Sequence, residues 1–405
     1  MSVLRVKSNQ MARLRIANCT RHDGSVDTDA MSTAGLRRQL WGGWAISGVC
    51  SPVTDTKQVP QGVVCTCSRA QAVGIMWSWA VWGSLLLTIA ASLATRRKMR
   101  PNREVQAGGR VVVITGCDSG IGYALALQAR AWGFTVIATC LSTLSAPAQQ
   151  LQDAGVIVVH LDLRRMEGVG YLKKTIARLH EEHKELWCLV NNAGVLTYAH
   201  CEWQTPSMMA SQILVNLTGA ILLTRDLLPV LRRNKGRVVN VSSPSGQLAS
   251  PFMSVYCGSK WGLEGYSQAL RREVAPFGVS VVVVRPCNLP NRTGILVGNA
   301  DQLLHMMAEA APETREDYGP MIERMQKTFQ QCFEGVAEVQ DLRDNYLMQC
   351  FRYAMTLDRP EAVYSAAPLV VRFALSLFQV IPTSWLDAIV SRDLHNTVLS
   401  LASNK

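Results

Sequence analysis

Metal-ligand pairing is missing from this chain. Its twelve cysteines are scattered, and the one close pair, Cys65-Thr66-Cys67, has neither a second pair nor a histidine partner. A zinc site is therefore not expected, and the thiols read as reduced and mostly buried, as in a protein facing the cytosol. Also missing is a basic stripe interleaved with aromatics. The net charge is +11 over 405 residues, but Arg96, Arg97, Lys98, Arg100 and Arg103 cluster directly after an apolar run. That placement argues for an anionic membrane surface and against nucleic acid. No internal repeat is present. The first 22 residues lack any acid and carry Arg5, Lys7, Arg13, Arg15 and Arg21. In composition they resemble a mitochondrial presequence, although an unstructured basic tail is the preferred reading.

Charge is absent altogether from Ala72 to Ala94. A helix of that length spans roughly 35 Å, enough for the hydrocarbon core of a bilayer. The basic cluster behind it places the C-terminal bulk on the cytoplasmic side. Four segments follow: a poorly ordered extension over 1–71, a transmembrane anchor over 72–94, a dinucleotide-binding catalytic domain over 108–300, and substrate-cap and membrane-associated helices over 301–405. Within the last, Pro368 to Val390 is apolar, but Arg372, Pro382 and Asp387 interrupt it. An amphipathic segment lying on a membrane or packed on the core is expected there rather than a second span.

From Arg110 the chain alternates continuous apolar strands with amphipathic helices. Strands are expected at Val111–Ile114, Thr135–Thr139, Val156–Leu161, Cys188–Val190, Gly236–Ser242 and Val279–Arg285. Helices are expected at Ile121–Trp132, Val169–His183, Ser211–Leu231 and Val255–Phe277. Such alternation means a doubly wound parallel α/β sheet covered on both faces.

Two places carry chemistry. After the first strand, Thr115-Gly116-Cys117-Asp118-Ser119-Gly120-Ile121-Gly122 offers glycines for a tight turn and backbone N–H groups for a pyrophosphate at a helix N-terminus. Further on, Tyr256 and Lys260 sit one helical turn apart on one face. Alcohol oxidation needs a base for the hydroxyl proton. Free tyrosine ionises near pH 10, so its pKa must fall by about two to three, or about 3–4 kcal/mol, to serve near neutrality. A nearby ammonium stabilises the phenolate. Ser243, at the end of the strand before Tyr256, is placed to hydrogen-bond a substrate oxygen.

Thr-Gly-x-x-x-Gly-x-Gly at 115–122, Asn-Asn-Ala-Gly at 191–194, Ser243 and Tyr-x-x-x-Lys at 256–260 resemble the short-chain dehydrogenase/reductase family. Within it, the Cys-Asp-Ser insert and the runs Tyr256–Glu264 and Leu270–Gly278 resemble the membrane-bound retinol and 17β-hydroxysteroid dehydrogenases, with mitochondrial 3-hydroxybutyrate dehydrogenase as a relative. The resemblance implies a Rossmann-type fold behind an N-terminal transmembrane helix. It implies that Asn216 is a proton-relay asparagine and that Lys260 also binds the nicotinamide ribose. It further implies cofactor contacts from Thr115, Gly116, Ser119, Gly120, Ile121, Gly122, Asp162 (at adenine), Asn191, Ala193, Gly194 and Pro286.

No Lys or Arg occurs from Val111 through Ala129 or from Ala131 through Asp153. The missing cation favours NAD over NADP, even though the usual ribose acid near Thr139–Leu141 is also missing. One departure stands out: Arg285-Pro286-Cys287-Asn288-Leu289-Pro290-Asn291 has cysteine in place of the family glycine and Asn291 where threonine is expected. A side chain at Cys287 is expected to crowd the nicotinamide or to force a strained φ.

The expected activity is interconversion of a lipophilic alcohol, retinol or a hydroxysteroid, with its aldehyde or ketone. The expected location is a membrane, the endoplasmic reticulum, with the catalytic domain cytoplasmic. Expected partners are the lipophilic substrate, membrane lipid and, in a homodimer, a second copy. Two alternatives remain: a mitochondrial 3-hydroxybutyrate-type dehydrogenase, and a catalytically silent membrane scaffold of the same fold.

Overall fold

The computed structural model describes Thr88 and residues 103–287, 294–333, 342 and 346–390. The expected extension over 1–71 and, apart from Thr88, the expected anchor over 72–94 lie outside the described residues.

Seven parallel strands form one sheet in the order β3-β2-β1-β4-β5-β6-β7. They are β1 (Arg110–Thr115), β2 (Thr135–Cys140), β3 (Ile157–His160), β4 (Glu185–Asn191), β5 (Arg237–Val241), β6 (Ser280–Pro286) and β7 (Val363–Ala366). The helices are α1 (Gly120–Ala131), α2 (Ala146–Asp153), α3 (Val169–Glu181), α4 (Pro206–Ile213), α5 (Ala220–Arg233), α6 (Ser254–Val274), α7 (Asn299–Glu309), α8 (Pro312–Phe333), α9 (Tyr346–Thr356) and α10 (Leu369–Phe378). A π-helical segment, Leu214–Gly219, joins α4 to α5.

The central strands are hydrophobic throughout because both faces are covered. Val112 and Ile114 face one core, shared with α1 and α9. Val111 and Val113 face the other, shared with α3, α5 and α6. This is the two-residue alternation of a strand read against two helix layers. The run Pro206–Arg233 is long and apolar enough to cross a membrane by length and composition. Here it lies between β4 and β5, and its apolar face packs on the sheet through Leu223, Leu227 and Leu231.

β7 pairs with β6, and Leu347, Phe351 and Met355 of α9 lie in the first core. The sheet thus extends beyond the boundary expected at residue 300. A third cluster caps one end: Leu303 and Met306 of α7 and Ile322 and Met325 of α8 pack on Ala199, Trp203 and Phe252. The apolar stretch after Pro368 forms α10, a bend at Gln379–Pro382, and a second helical run from Thr383. It is not one continuous span. Leu369, Val370, Phe373, Val380 and Trp385 project into solvent, each at least two-thirds exposed.

Strand order reverses between β1 and β4, whose next neighbours lie on opposite sides. Loops leaving their C-terminal ends therefore part, and that crevice is where open parallel sheets bind ligands.

Candidate active site

A cavity of about 710 Å³ opens at this crevice. Its nucleotide end is the turn from β1 into α1. Gly116 has φ of +68°, and a Cβ there would meet Ala193 Cα at 2.7 Å. Only glycine lets the turn lie against the Asn-Asn-Ala-Gly segment. A Cβ on Gly122 would meet Gly116 O at 2.1 Å. Gly122 therefore closes α1 onto the turn, and it is not among the cavity-lining residues. Thr115 Oγ1 accepts from the N–H groups of Asn192 and Ala193, both at 3.0 Å. Ser119, the N-cap of α1, makes no side-chain capping bond, and no acid occupies the first helical turn. Its hydroxyl and the orphan N–H groups of the helix end are free for an anionic group. The residues thus fit a dinucleotide pyrophosphate. Of the residues expected to contact the cofactor, Thr115, Gly116, Ser119, Gly120, Ile121, Asp162, Ala193, Gly194 and Pro286 line the cavity.

Asn191 does not. Its amide donates to Thr224 Oγ1 at 2.9 Å and to Asn240 Oδ1 at 2.8 Å, and Asn240 in turn donates to Ser267 at 2.8 Å. This network lies inside the protein and ties β4, α5, β5 and α6 together. The next residue, Asn192, turns the other way. Its amide donates to Thr115 O at 2.8 Å and Gly116 O at 3.1 Å, and it lines the cavity.

Asp162, expected to contact adenine, is held by Arg164 through bonds of 2.7 to 3.1 Å. That guanidinium keeps the carboxyl below the usual carboxylate range. Asp118, from the glycine turn, reaches across the sheet and accepts from Leu141 N at 2.8 Å. A carboxylate therefore does stand at the end of β2, supplied by a different segment from the one in which it was sought.

The side chains expected to be catalytic come from α6, the turn just after β5 and the π-helical segment. The buried residues of α6 include Tyr256, Ser259, Lys260, Glu264 and Ser267 beside Cys257, Leu263, Leu270 and Val274, an unusually large polar share for a face turned inward. Lys260 Nζ lies 5.7 Å from the centre of the Tyr256 ring and donates to Val241 O at 3.0 Å. Ser243 hydrogen-bonds the Tyr256 phenol, an effect that only partly offsets burial, which pushes the phenol up to about 12. Burial likewise drives Lys260 down to about 8, against the pull of Glu264. The expected lowering of the tyrosine pKa is thus not present in these residues alone. Both groups are in a dry site, and desolvation is the largest cause of each shift.

Asn216 sits in the π-helical segment, with 1% of its surface exposed. Its Oδ1 accepts from Val195 N at 2.8 Å, and its amide donates to Val195 O at 2.9 Å and Ser259 Oγ at 3.0 Å. Both donors and one of the two acceptor sites of its carboxamide hold the loop after β4 against α6. In this geometry it positions the site. Behind Lys260, Glu264 takes a two-pronged ion pair from Arg285 at 2.8 and 3.0 Å, which fixes the end of β6 next to Pro286. Cys287 has no left-handed φ, so the expected backbone strain is absent, and it is not among the residues lining the cavity. Asn288 and Asn291 lie outside the described residues.

The cap supplies the rest of the wall: Tyr198, Ser211, Val215, Leu296, Val297 and Gln302. Among the described residues that line the cavity, Arg164 and Lys260 are the only Lys or Arg.

The family profile described as short chain dehydrogenase matches residues 110–296. Human (Homo sapiens) 17-beta-hydroxysteroid dehydrogenase type 6 is 35% identical over 294 residues, which cover 70% of this chain and 88% of that protein. Human retinol dehydrogenase 16 is 35% identical over 285 residues, covering 69% and 87%. Mitochondrial D-beta-hydroxybutyrate dehydrogenase of Bos taurus is 37% identical over 246 residues, covering 58% and 72%. With a tyrosine, a lysine and a serine gathered beside a nucleotide cradle, the chain belongs to the short-chain dehydrogenase/reductase family and is an alcohol/ketone oxidoreductase using a nicotinamide dinucleotide.

Proposed function

We propose that the protein interconverts a lipophilic alcohol, a hydroxysteroid or retinol, with its carbonyl form at a membrane, using NAD. The observation that carries the substrate class is the cap wall of the cavity. It is built from Val215, Leu296, Val297 and Met253 with neutral polar groups between them, and no described cation lies there. A carboxylate substrate such as 3-hydroxybutyrate would find no cationic partner among the described residues of that wall, a cost that apolar molecules do not meet. The names of the steroid and retinol relatives support the same class. NAD is supported by Asp118: its carboxylate at Leu141 N favours a ribose hydroxyl and repels a 2′-phosphate. The uncharged run Ala72–Ala94 and the exposed apolar side chains of α10 support a membrane location, with the endoplasmic reticulum as the compartment and the catalytic domain on its cytoplasmic side.

Ser243 and Tyr256 hold the reacting oxygen, and Tyr256 Oη gives or takes its proton. Lys260 sets the local field. A nicotinamide held in the cradle would donate the hydride in carbonyl reduction and accept it in alcohol oxidation, its oxidised form adding a positive charge that would favour the phenolate.

The test is NADH formation by membranes carrying the protein, with retinols, hydroxysteroids and 3-hydroxybutyrate, NADP⁺ in parallel, and Tyr256→Phe as control. Turnover of lipophilic alcohols that falls by about a hundredfold or more in the variant is expected for a lost acid–base group. Turnover confined to 3-hydroxybutyrate would overturn the reading.

A further inference from the structure

The cap holds a carboxamide that the fold leaves unpaired. Gln302 lies in the first turn of α7 and lines the cavity. Its Oε1 is buried and has no hydrogen-bond partner among the described residues. The neighbouring cap amides behave differently. Gln212 accepts from Thr197 N at 3.2 Å and donates to Gln204 Oε1 at 2.8 Å. Asn299 accepts from Tyr198 N at 2.9 Å and donates to Tyr198 O at 3.2 Å. Those two amides are structural, and Asn299 is a clamp: it locks the start of α7 to the backbone of Tyr198. Gln302, three residues further along α7, and Tyr198 are therefore held at one joint and line the same cavity. The Tyr198 ring is fixed by stacking on Phe252 at 5.5 Å and by Phe329 at 5.7 Å. A buried carbonyl oxygen without a donor is costly, and in a ligand cavity the donor is naturally the ligand's. Carboxamide and phenol each donate and accept, and neither is charged. The orphaned Oε1 calls for a hydroxyl, whose O–H can donate to it, rather than a ketone, a carboxylate or a bare hydrocarbon.

We propose that Gln302, with Tyr198 clamped beside it by Asn299, binds a second oxygen function of the substrate, a hydroxyl. The preferred substrate is then a lipophilic molecule with two oxygens, one that reacts at Tyr256 and one that is read at the cap. This rests on the lipophilic-alcohol reading above and narrows it to two-oxygen skeletons, of which a hydroxysteroid is one and retinol is not.

The experiment compares a steroid skeleton bearing a single hydroxyl with the same skeleton carrying an additional hydroxyl at its other end. Both kcat/KM and equilibrium binding in the presence of NADH are measured on the full chain in membranes. Native protein is expected to favour the two-oxygen molecule about tenfold, roughly 1.4 kcal/mol, mostly through KM. Gln302→Met, close in volume, is expected to bring that ratio near one, and Tyr198→Phe to reduce it; the second variant decides if the first does not fold. A ratio near one in native protein, or a ratio that survives both variants while activity falls uniformly, would overturn the proposal and leave Gln302 a structural residue. If no alcohol is turned over, the parent reading fails by itself. The binding ratio then decides: tighter two-oxygen binding that Gln302→Met erases upholds the anchor, and equal binding overturns it.

Discussion

Replacing Lys260 by methionine should make the protein more stable and less active. Lys260 is 3% exposed, and Val241 O is its one close hydrogen-bond acceptor. Its fall from 10.5 to about 8, caused chiefly by burial, corresponds to about 3 kcal/mol of folding free energy spent to keep a cation in a dry site. The sign follows from proton uptake. Between about pH 8 and 10.5 the unfolded chain holds this proton and the folded chain does not, so native stability rises with pH through that window. Below about pH 8 the full penalty applies. Methionine fills similar volume without charge. At pH 7 Lys260→Met should gain up to about 3 kcal/mol, less whatever Val241 O loses, and the gain should vanish near pH 10. Urea unfolding of both proteins without nucleotide, at pH 7 and 9.5, reads the difference directly. Groups that titrate in both proteins cancel, including the buried cysteines whose thiols are pushed up by desolvation. Parallel stability curves, or a variant less stable at every pH, would show that the lysine is not held at a cost and that the account of the site is wrong.

Other outcomes follow from the same geometry. Lys260→Arg should keep its charge above pH 8, so the rate of carbonyl reduction, which needs a protonated phenol and a cation, should decline above about pH 8 in the native enzyme and hold to higher pH in the variant. Pre-steady-state rates across pH 6–10 (about that range) check it; a turning point unmoved by arginine would reassign the titration. Gly116→Ala places a β-carbon 2.7 Å from Ala193 Cα on a φ of +68°, so thermal stability should drop by at least about 1–2 kcal/mol and NADH binding, followed by fluorescence, should be lost with it. Asp118→Asn keeps an acceptor for Leu141 N but removes the charge. The ratio of NADP⁺ to NAD⁺ efficiency should rise about tenfold, the scale of one charge contact at a partly solvated site; an unchanged ratio would remove Asp118 from cofactor choice.

What was legible in the sequence is what is contiguous. The glycine turn, the Tyr256–Lys260 pair and Ser243 are short local patterns whose geometry one strand end or one helix turn dictates. The six apolar strands were legible for the same reason, since each is continuous and buried on both faces. Asn191 and Asn192 show where local reading slipped. Both stand at the end of β4, and side chains alternate there, so one of the pair must face inward; counting from Leu189 and Val190 would have assigned the cavity to Asn192. β7 was missed because Val363–Ala366 is four residues long and only half-buried throughout, with none of the hydrophobic continuity of its neighbours. The π-helical segment carries no local signature either, because Leu214–Gly219 reads as ordinary helix until its packing is seen.

The remaining differences are all long-range, and they share a cause. Asp118 meets Leu141 across 23 residues and Arg285 meets Glu264 across 21, while Asn299 grips Tyr198 across 101. Each brings a polar group to a place where a scan of neighbouring residues finds none. The most instructive case is Tyr256 itself. Residue types alone imply that a lysine one turn away lowers the phenol, and charge proximity does act in that direction. Yet both groups are taken out of water by the same packing that aligns them, and burial pushes the phenol to about 12 and the ammonium to about 8. A site arranged in this way holds both protons at neutral pH and is poised to protonate a carbonyl oxygen. To run as a base it needs further positive charge, and the oxidised nicotinamide is the one group of the reaction that brings it. The packing that aligns Tyr256 with Lys260 thus raises the phenol and lowers the ammonium, opposing the shift that the one-turn spacing alone implies.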